Sequence, residues 1–90
     1  MYKIQTTNRF EKDVIRCKKR GLELDKLKEV MSLLAENGKL PIRYKPHKLL
    51  GKYSGCWECH IQPDWLLIWR QNNNELTLLF LNTGTHSDLF

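Results

Sequence analysis

Two strongly apolar segments separated by three consecutive asparagines constrain the fold of this 90-residue chain more than any other feature. The first reads WLLIWR over residues 65 to 70, and the second reads LTLLFLN over residues 76 to 82. Runs of this length, rich in branched and aromatic residues and bounded by turn residues, are typical of β-strands. Because the connection Asn72-Asn73-Asn74 is short, the two strands are expected to be antiparallel neighbours in one sheet.

Two further strands are predicted from the alternation of polar and apolar residues. Residues 57 to 62 read WECHIQ, in which every second side chain is apolar, and a Pro-Asp turn follows. Residues 1 to 6 read MYKIQT and alternate in the same way over a shorter span. Neighbouring side chains of a strand point to opposite faces, so Cys59 is expected to face the core and His60 to face away from it.

Two amphipathic helices are predicted after the first strand. Asn8 and Glu11 stand in the relation of a capping box, which opens a helix over about residues 9 to 19. Gly21 ends this helix, and a second one is predicted over about residues 24 to 36. The apolar stripe of the first helix consists of Phe10, Val14 and Cys17, and that of the second consists of Leu24, Leu27, Val30, Met31 and Leu34.

The order of these elements, β-α-α-β-β-β, predicts an α+β fold in a single small domain that spans residues 1–90. The two N-terminal helices are expected to pack on one face of a twisted, mainly antiparallel sheet. No apolar run approaches the length of a secretory signal or of a membrane span, which predicts a cytoplasmic protein.

The net charge of +5 is concentrated in one part of the chain. Between Glu36 and Glu58 there is no acidic residue, and the basic residues there are Lys39, Arg43, Lys45, Lys48 and Lys52. Such a segment is either a solvated loop or a surface that binds a polyanion, and composition does not distinguish the two. Phosphate backbones and acidic proteins are the partners that it would attract.

The segment Cys56-Trp57-Glu58-Cys59-His60 matches the C-x-x-C-H pattern of haem attachment, but its surroundings argue against a cofactor. A haem would need a distal ligand and a large apolar pocket, and a redox dithiol works best at a helix N-terminus rather than in a strand. A zinc site would combine the two cysteines and His60 with His47 or His86, although a single C-x-x-C is a weak signal for zinc. We therefore predict no metal and no cofactor, with Cys59 as a small core residue.

All three histidines of the chain lie beside turn residues in polar or basic surroundings. His47 follows Pro46 in the basic segment, His60 precedes Asp64 by four residues, and His86 follows Gly84. Metal-free cleavage of RNA needs a base for the ribose 2′-hydroxyl, an acid for the leaving 5′-oxygen and cations near the phosphate. These histidines, with Asp64 and a basic surface, have the groups that such a reaction requires.

Three segments carry a resemblance to a known family, namely YKPHKLLG (44 to 51), ECHIQPDWLLIW (58 to 69) and TGTHSDLF (83 to 90). They resemble the YafQ branch of the RelE/ParE superfamily, the toxins of toxin-antitoxin pairs. The resemblance implies a fold like that of microbial ribonucleases and an mRNA interferase that cuts messenger RNA in the A site of the 70S ribosome. It also implies a DinJ-type antitoxin as partner, with the toxin monomeric when free and part of a larger complex when neutralised.

The resemblance also implies a set of functional residues. The implied catalytic residues are His47, His60, Asp64 and His86. The implied contacts to RNA or the ribosome are Lys45, Lys48, Lys52, Trp65, Arg70 and Phe90. Our hypothesis makes either Asp64 or His60 the general base, with the other orienting it, and His86 the general acid. Trp65 has an equal alternative as a core aromatic residue.

One position departs from the family pattern. Relatives commonly have an arginine just before the T-G-T-H block, whereas this chain has Asn82. Asparagine can donate one neutral hydrogen bond, whereas the arginine guanidinium is charged and donates two parallel hydrogen bonds to a phosphate. Lys48, Lys52 or Arg70 would then have to supply the missing charge. A basic module that binds RNA or an acidic protein without cleaving anything, or less readily a zinc-stabilised domain, remains the alternative function.

Overall fold

A five-stranded mixed sheet with the order β1-β5-β4-β3-β2 forms the frame of the molecule in the computed structural model, which describes residues 1–90. The strands are β1 (Lys3–Thr6), β2 (His47–Lys48), β3 (Trp57–Gln62), β4 (Trp65–Asn72) and β5 (Thr77–Gly84). The helices are α1 (Asn8–Lys19), α2 (Leu24–Asn37) and α3 (His86–Leu89), and short 3-10 turns cover Ile42–Tyr44 and Gly51–Tyr53.

The predicted α+β fold is confirmed, with two additional elements. β1 runs parallel to β5, while all other neighbouring strands are antiparallel. The added elements are β2, which has two residues, and α3, which has four. Both are too short to show a periodic pattern in the sequence, so neither was predicted.

The helix boundaries follow from local capping. The backbone N–H of Phe10 donates to the Thr7 hydroxyl at 3.0 Å, so Thr7 caps α1, and the predicted capping box of Asn8 and Glu11 is wrong. α2 ends at Gly38, whose φ of 65° lies in the left-handed region. A side chain at this position would also collide with the Tyr2 ring, so both the backbone and the packing require glycine there.

The sheet is buried on both faces, although the two faces are covered differently. α1 and α2 cover one face, where the main core includes Phe10, Leu34 and Phe80. On the opposite face the segment from residue 49 to 55 and α3 cover a smaller cluster formed by Cys56, Leu66, Ile68 and Leu89. β4 lies between the two clusters, which explains why its sequence is apolar without alternation.

None of the helices is both long enough and apolar enough to cross a membrane.

Candidate active site

The three histidines come together on the sheet face opposite α1 and α2. His60 lies at the centre, with its ring centroid 6.3 Å from that of His47 and 5.9 Å from that of His86. β2, β3 and the first residue of α3 supply one histidine each. His60 faces this side because Cys59 and Ile61, its neighbours in β3, face the main core. We refer to His47, His60 and His86 as the histidine row.

Asp64 pairs with His86 and not with His60. Its Oδ1 atom accepts a hydrogen bond from His86 Nδ1 at 2.7 Å and another from the backbone N–H of His86 at 3.0 Å. The side-chain bond, followed by the backbone bond, lowers the pKa of Asp64 below its usual range, so the carboxylate is ionised near neutral pH. The hypothesis that His60 and Asp64 orient each other is therefore corrected, and Asp64 orients His86 instead.

The hydrogen bond made by His60 defines which of its ring nitrogens is available. Its Nδ1 lies 3.3 Å from the carbonyl oxygen of Pro63. A carbonyl can only accept, so Nδ1 carries the proton in this arrangement. The neutral ring then presents Nε2 as a proton acceptor, which is what a general base requires.

His47 faces hydrogen-bond acceptors at both ring nitrogens. Nδ1 lies 2.8 Å from the carbonyl oxygen of Lys45, and Nε2 lies 3.1 Å from Oε1 of Glu58. A doubly protonated ring would donate to both of these oxygens. Glu58 is only 5% exposed, and its Oε2 is buried without a hydrogen-bond partner.

Sequence reasoning did not identify Glu58 as a site residue. Its position two residues before His60 in β3 was the available signal, because side chains at i and i+2 share one face of a strand. The partner that gives it a role, His47, is opposite it in β2, an element that the sequence did not predict.

The short helix α3, which begins at His86, is held in place by its neighbours. Thr85 and Asp88 form a capping box, in which Asp88 Oδ2 accepts from the Thr85 backbone N–H at 2.9 Å. Arg20 of α1 donates to both oxygens of Asp88, at 2.6 and 3.1 Å. A helix of this length has no stability of its own, so the Arg20–Asp88 pair fixes the position from which His86 projects.

Arg20→Ala is expected to raise the pKa of Asp88 toward the ordinary aspartate value of about 3.9. The hydrogen bonds from Arg20, and then those from Thr85, hold this pKa well below its usual range. The stability contributed by Asp88 is therefore present above pH 4 or so and is lost as the pH falls toward the lowered folded-state pKa. A ¹³C NMR titration of the carboxyl groups measures the shift, with Lys18→Ala as the control on α1. An unchanged Asp88 pKa in Arg20→Ala would contradict the pairing.

The residues expected to contact RNA lie in different places. Lys45 is close to the histidine row, since its carbonyl accepts from His47. Lys48 points to the opposite face of the sheet, where its Nζ lies 5.6 Å from the Trp57 ring, so it is not part of this site. Arg70 is exposed, and its guanidinium lies 3.7 Å from the sulfur of Cys56.

Phe90 and Lys52 lie together around Tyr53. The Phe90 ring packs edge-on against Tyr53 with centroids 5.5 Å apart, yet its side chain remains largely exposed. Its backbone N–H also donates to the carbonyl of His86 at 2.8 Å, so Phe90 is anchored to α3. Lys52 Nζ lies 5.6 Å from the same Tyr53 ring. An exposed aromatic ring beside a lysine is suited to stacking on a nucleobase.

Trp65 is a core residue. It is only 1% exposed, and its indole Nε1 donates to Thr83 Oγ1 at 2.9 Å inside the main core. No nucleobase can reach this ring without opening the core. Burial therefore contradicts the RNA contact expected at Trp65 and agrees with the alternative, in which Trp65 is a core aromatic residue.

The Asn82 side chain belongs to a partly buried polar network around Asp13. It does not take the place of the arginine that relatives have before the T-G-T-H block. Its side-chain amide lies 3.4 Å from Oδ2 of Asp13, a residue of α1 that is fully buried. Asp13 is neutralised by Arg9 at 3.2 Å and Arg16 at 3.0 Å. Arg16 also donates to the Thr83 carbonyl at 3.3 Å, so an arginine from α1 lies against the T-G-T-H block.

The C-x-x-C-H segment is not a cofactor motif in this fold. Cys59 lies in the main core, whereas Cys56 lies in the cluster on the opposite face of the sheet, and both are free thiols. The expected core position of Cys59 is therefore confirmed. Burial raises the pKa of Cys59 to about 12, so its thiol is unreactive. Two sulfurs on opposite faces can neither form a disulfide nor bind one zinc ion.

The side chains around the histidine row do not converge as metal ligands do. No group of three or more histidine, cysteine, aspartate or glutamate side chains is placed to hold a metal ion. The set suggested by the sequence for zinc is thus not assembled in this conformation.

Comparison with known proteins identifies the class and the family. Residues 2–90 match the profile of a family described as the bacterial toxin of type II toxin-antitoxin system, YafQ. The chain is 40% identical over 88 residues to the mRNA interferase toxin YafQ of Escherichia coli K12, which covers 97% of this chain and 94% of that protein.

Solved structures show the same fold. A chain of the Escherichia coli DinJ-YafQ complex has a TM-score of 0.90 at 38% identity, covering 100% of this chain and 99% of that one. A metal-bound toxin from Helicobacter pylori has a TM-score of 0.90 at 38% identity, with 100% of both chains covered. The family match and the shared fold therefore define a toxin of the type II toxin-antitoxin class. Within that class, the chain belongs to the YafQ family, which confirms the resemblance stated above.

Proposed function

We propose that this toxin is an endoribonuclease that cuts messenger RNA in the A site of the 70S ribosome by metal-free acid-base catalysis. The observation that carries the proposal is the histidine row, in which the rings of His47 and His86 lie 6.3 and 5.9 Å from that of His60 and each ring has a different hydrogen-bond partner. The mRNA interferase of Escherichia coli, at 40% identity, supports the same reaction for this chain.

Each histidine has a separate role in the proposed reaction. Nε2 of His60 removes the proton from a ribose 2′-hydroxyl, and the 2′-oxygen attacks the adjacent phosphorus. The bond to the 5′-oxygen breaks as His86, oriented by Asp64, donates a proton to that oxygen. The imidazolium of His47 stabilises the charge on the phosphorane. The products are a 2′,3′-cyclic phosphate and a free 5′-hydroxyl.

The proposed partners and compartment follow from this activity. A DinJ-type antitoxin is the proposed neutralising partner, since a DinJ-YafQ complex of Escherichia coli contains a chain of the same fold. The toxin is monomeric when free and part of a larger complex when neutralised. Action on ribosomes requires a cytoplasmic location. Lys45 beside the histidine row and Lys52 beside Tyr53 suit contact with RNA phosphates.

Mapping the 5′ ends of cellular messenger RNA after a short pulse of expression tests the proposal. We expect new ends at a fixed position of translated codons and none in untranslated regions. The absence of new ends while growth is arrested would contradict cleavage and would favour a basic module that only binds.

Metal dependence is measured separately, because a related Helicobacter pylori toxin has been solved with metal bound. Purified toxin treated with chelator and freed from it is expected to cut ribosome-bound messenger RNA at the untreated rate. Activity that is lost with the metal and restored by adding it back would overturn the metal-free mechanism.

A further inference from the structure

A cavity of about 480 Å³ lies beside the histidine row along the open edge of β3. β2 pairs only with Trp57 and Glu58, so the second half of β3 has no partner strand on this side. Residues 43–45 and the first turns of α2 form the other walls. Its polar lining residues include Lys26, Glu29, Arg43, Lys45, His60 and Gln62. We call this space the β3-edge cavity.

The β3-edge cavity opens onto the reacting groups through His60. The same imidazole lines the cavity and forms the centre of the histidine row. Lys45 also belongs to both, because its carbonyl oxygen accepts from His47 while its side chain lines the cavity. A ligand bound in the cavity is therefore continuous with a ligand bound at the row.

The charge of the β3-edge cavity suits an anion. Three cationic side chains, Lys26, Arg43 and Lys45, line it, against the single carboxylate of Glu29. Its volume lies within the range of about 300 to 1,000 Å³ that is usual for small-ligand sites. A polyanionic chain that crosses the histidine row would find the next concentration of positive charge here.

Arg43 is held in an orientation that leaves it available to a ligand. Its guanidinium lies 4.8 Å from the centre of the Tyr44 ring and 3.6 Å from the Glu29 carboxylate. Nη2 of Arg43 also donates to the Tyr44 hydroxyl at 3.0 Å. The Arg43 side chain is nevertheless 66% exposed, so its other donors face solvent. A guanidinium fixed in this way loses less conformational freedom when it binds phosphate or stacks on a base.

We propose that the β3-edge cavity is a subsite for the nucleotide adjacent to the cleaved phosphodiester, with Arg43 and Lys26 as ligands of that nucleotide's phosphate. The inference rests on the proposed function, because it takes the strand at the histidine row to be RNA. It goes beyond that function by assigning a binding role to residues of α2 and of the segment from residue 42 to 45.

A hexanucleotide with 2′-O-methyl groups is the probe, because it lacks the 2′-hydroxyl nucleophile and cannot be cut. Added to the purified toxin, it is expected to shift the NMR amide signals of Lys45 and Gln62 together with that of His60. Affinity is then measured at several salt concentrations for the wild type and two double variants.

The double variant Lys26→Ala/Arg43→Ala is expected to bind the probe about tenfold more weakly. The slope of log affinity against log salt should also fall by about 0.7, which corresponds to one phosphate contact on a single strand. Lys18→Ala/Lys28→Ala removes the same charge from exposed helical positions outside the cavity and is expected to leave affinity and slope close to those of the wild type. Equal losses in both double variants would show a general charge effect and overturn the subsite.

Glu29→Gln is expected to change the affinity for the probe in the opposite direction. Removing the carboxylate frees Arg43 and lowers the negative potential of the cavity, so the probe is expected to bind a few times more tightly. Weaker binding would mean that Glu29 recognises the probe itself, and it would overturn the assignment of a phosphate to this position.

Failure of the subsite can be told apart from failure of the proposed function. Shifts at the histidine row without shifts in the β3-edge cavity overturn the subsite and leave the catalytic proposal standing. Absence of shifts at both places overturns the subsite as well, while mapping of messenger RNA ends still decides the reaction. Shifts in the cavity on adding antitoxin, but none with the probe, would identify a protein contact instead of a nucleotide subsite.

Discussion

His60→Ala is expected to lower the rate of messenger RNA cleavage on the ribosome by about 10² to 10⁴. The variant removes Nε2 of His60, a ring nitrogen that has no internal partner and that the proposed reaction uses to accept a proton. The loss should appear in the maximal rate at saturating ribosome concentration. It is measured by single-turnover cleavage of ribosomes programmed with a defined message.

Two controls make this result specific to the chemistry. Gln5→Ala changes an exposed residue of β1, at the opposite edge of the sheet from the site, and is expected to cleave at the wild-type rate. Asp64→Asn should cost less than His60→Ala, because Asp64 acts by orienting His86 rather than by moving a proton. A His60→Ala variant that cuts within threefold of the wild type would remove His60 from the catalytic set.

Trp65→Ala is expected to lower the free energy of unfolding by about 3 to 5 kcal/mol. The substitution leaves a large cavity in the main core and removes the indole N–H that donates a hydrogen bond to the Thr83 hydroxyl. Such a loss is a large part of the total stability of a small domain. Chemical denaturation followed by far-ultraviolet circular dichroism measures it.

Trp65→Phe separates the core role from contact with a base. Phenylalanine keeps most of the packed volume, leaves a smaller cavity than alanine and loses the hydrogen bond to Thr83, which by itself is expected to cost about 1 kcal/mol. Because the ring is buried, cleavage below the melting temperature should stay within a few-fold of the wild type. A stable Trp65→Phe variant with cleavage reduced a hundredfold would restore the nucleobase role.

The long elements of the fold were predictable because their patterns are strong and local. The apolar runs on either side of Asn72-Asn73-Asn74 became β4 and β5, although β4 continues to Asn72 and β5 to Gly84. α2 was predicted to end at residue 36 and ends at Asn37, directly before the glycine that stops it. Apolar periodicity and glycine are signals that a sequence carries without knowledge of its partners.

The geometry of the site was less predictable, because long-range pairing determines it. His60 and Asp64 are four residues apart, which suggested a pair, yet the carboxylate is bound by His86 from the far end of the chain. Glu58 acquires its role only through β2. Asp13 lies within the predicted first helix, and its burial depends on contacts with Arg16 and β5. Each of these positions depends on which surfaces meet after folding.

The three histidines of the histidine row lie on elements that differ in length and in local stability. His60 stands on the six-residue strand β3, which pairs with β4, whereas His47 lies in a two-residue edge strand and His86 in a four-residue helix. Short edge elements open locally at a small fraction of the global unfolding free energy, so amide hydrogens there exchange early. The molecule can therefore lose its activity while the sheet stays intact.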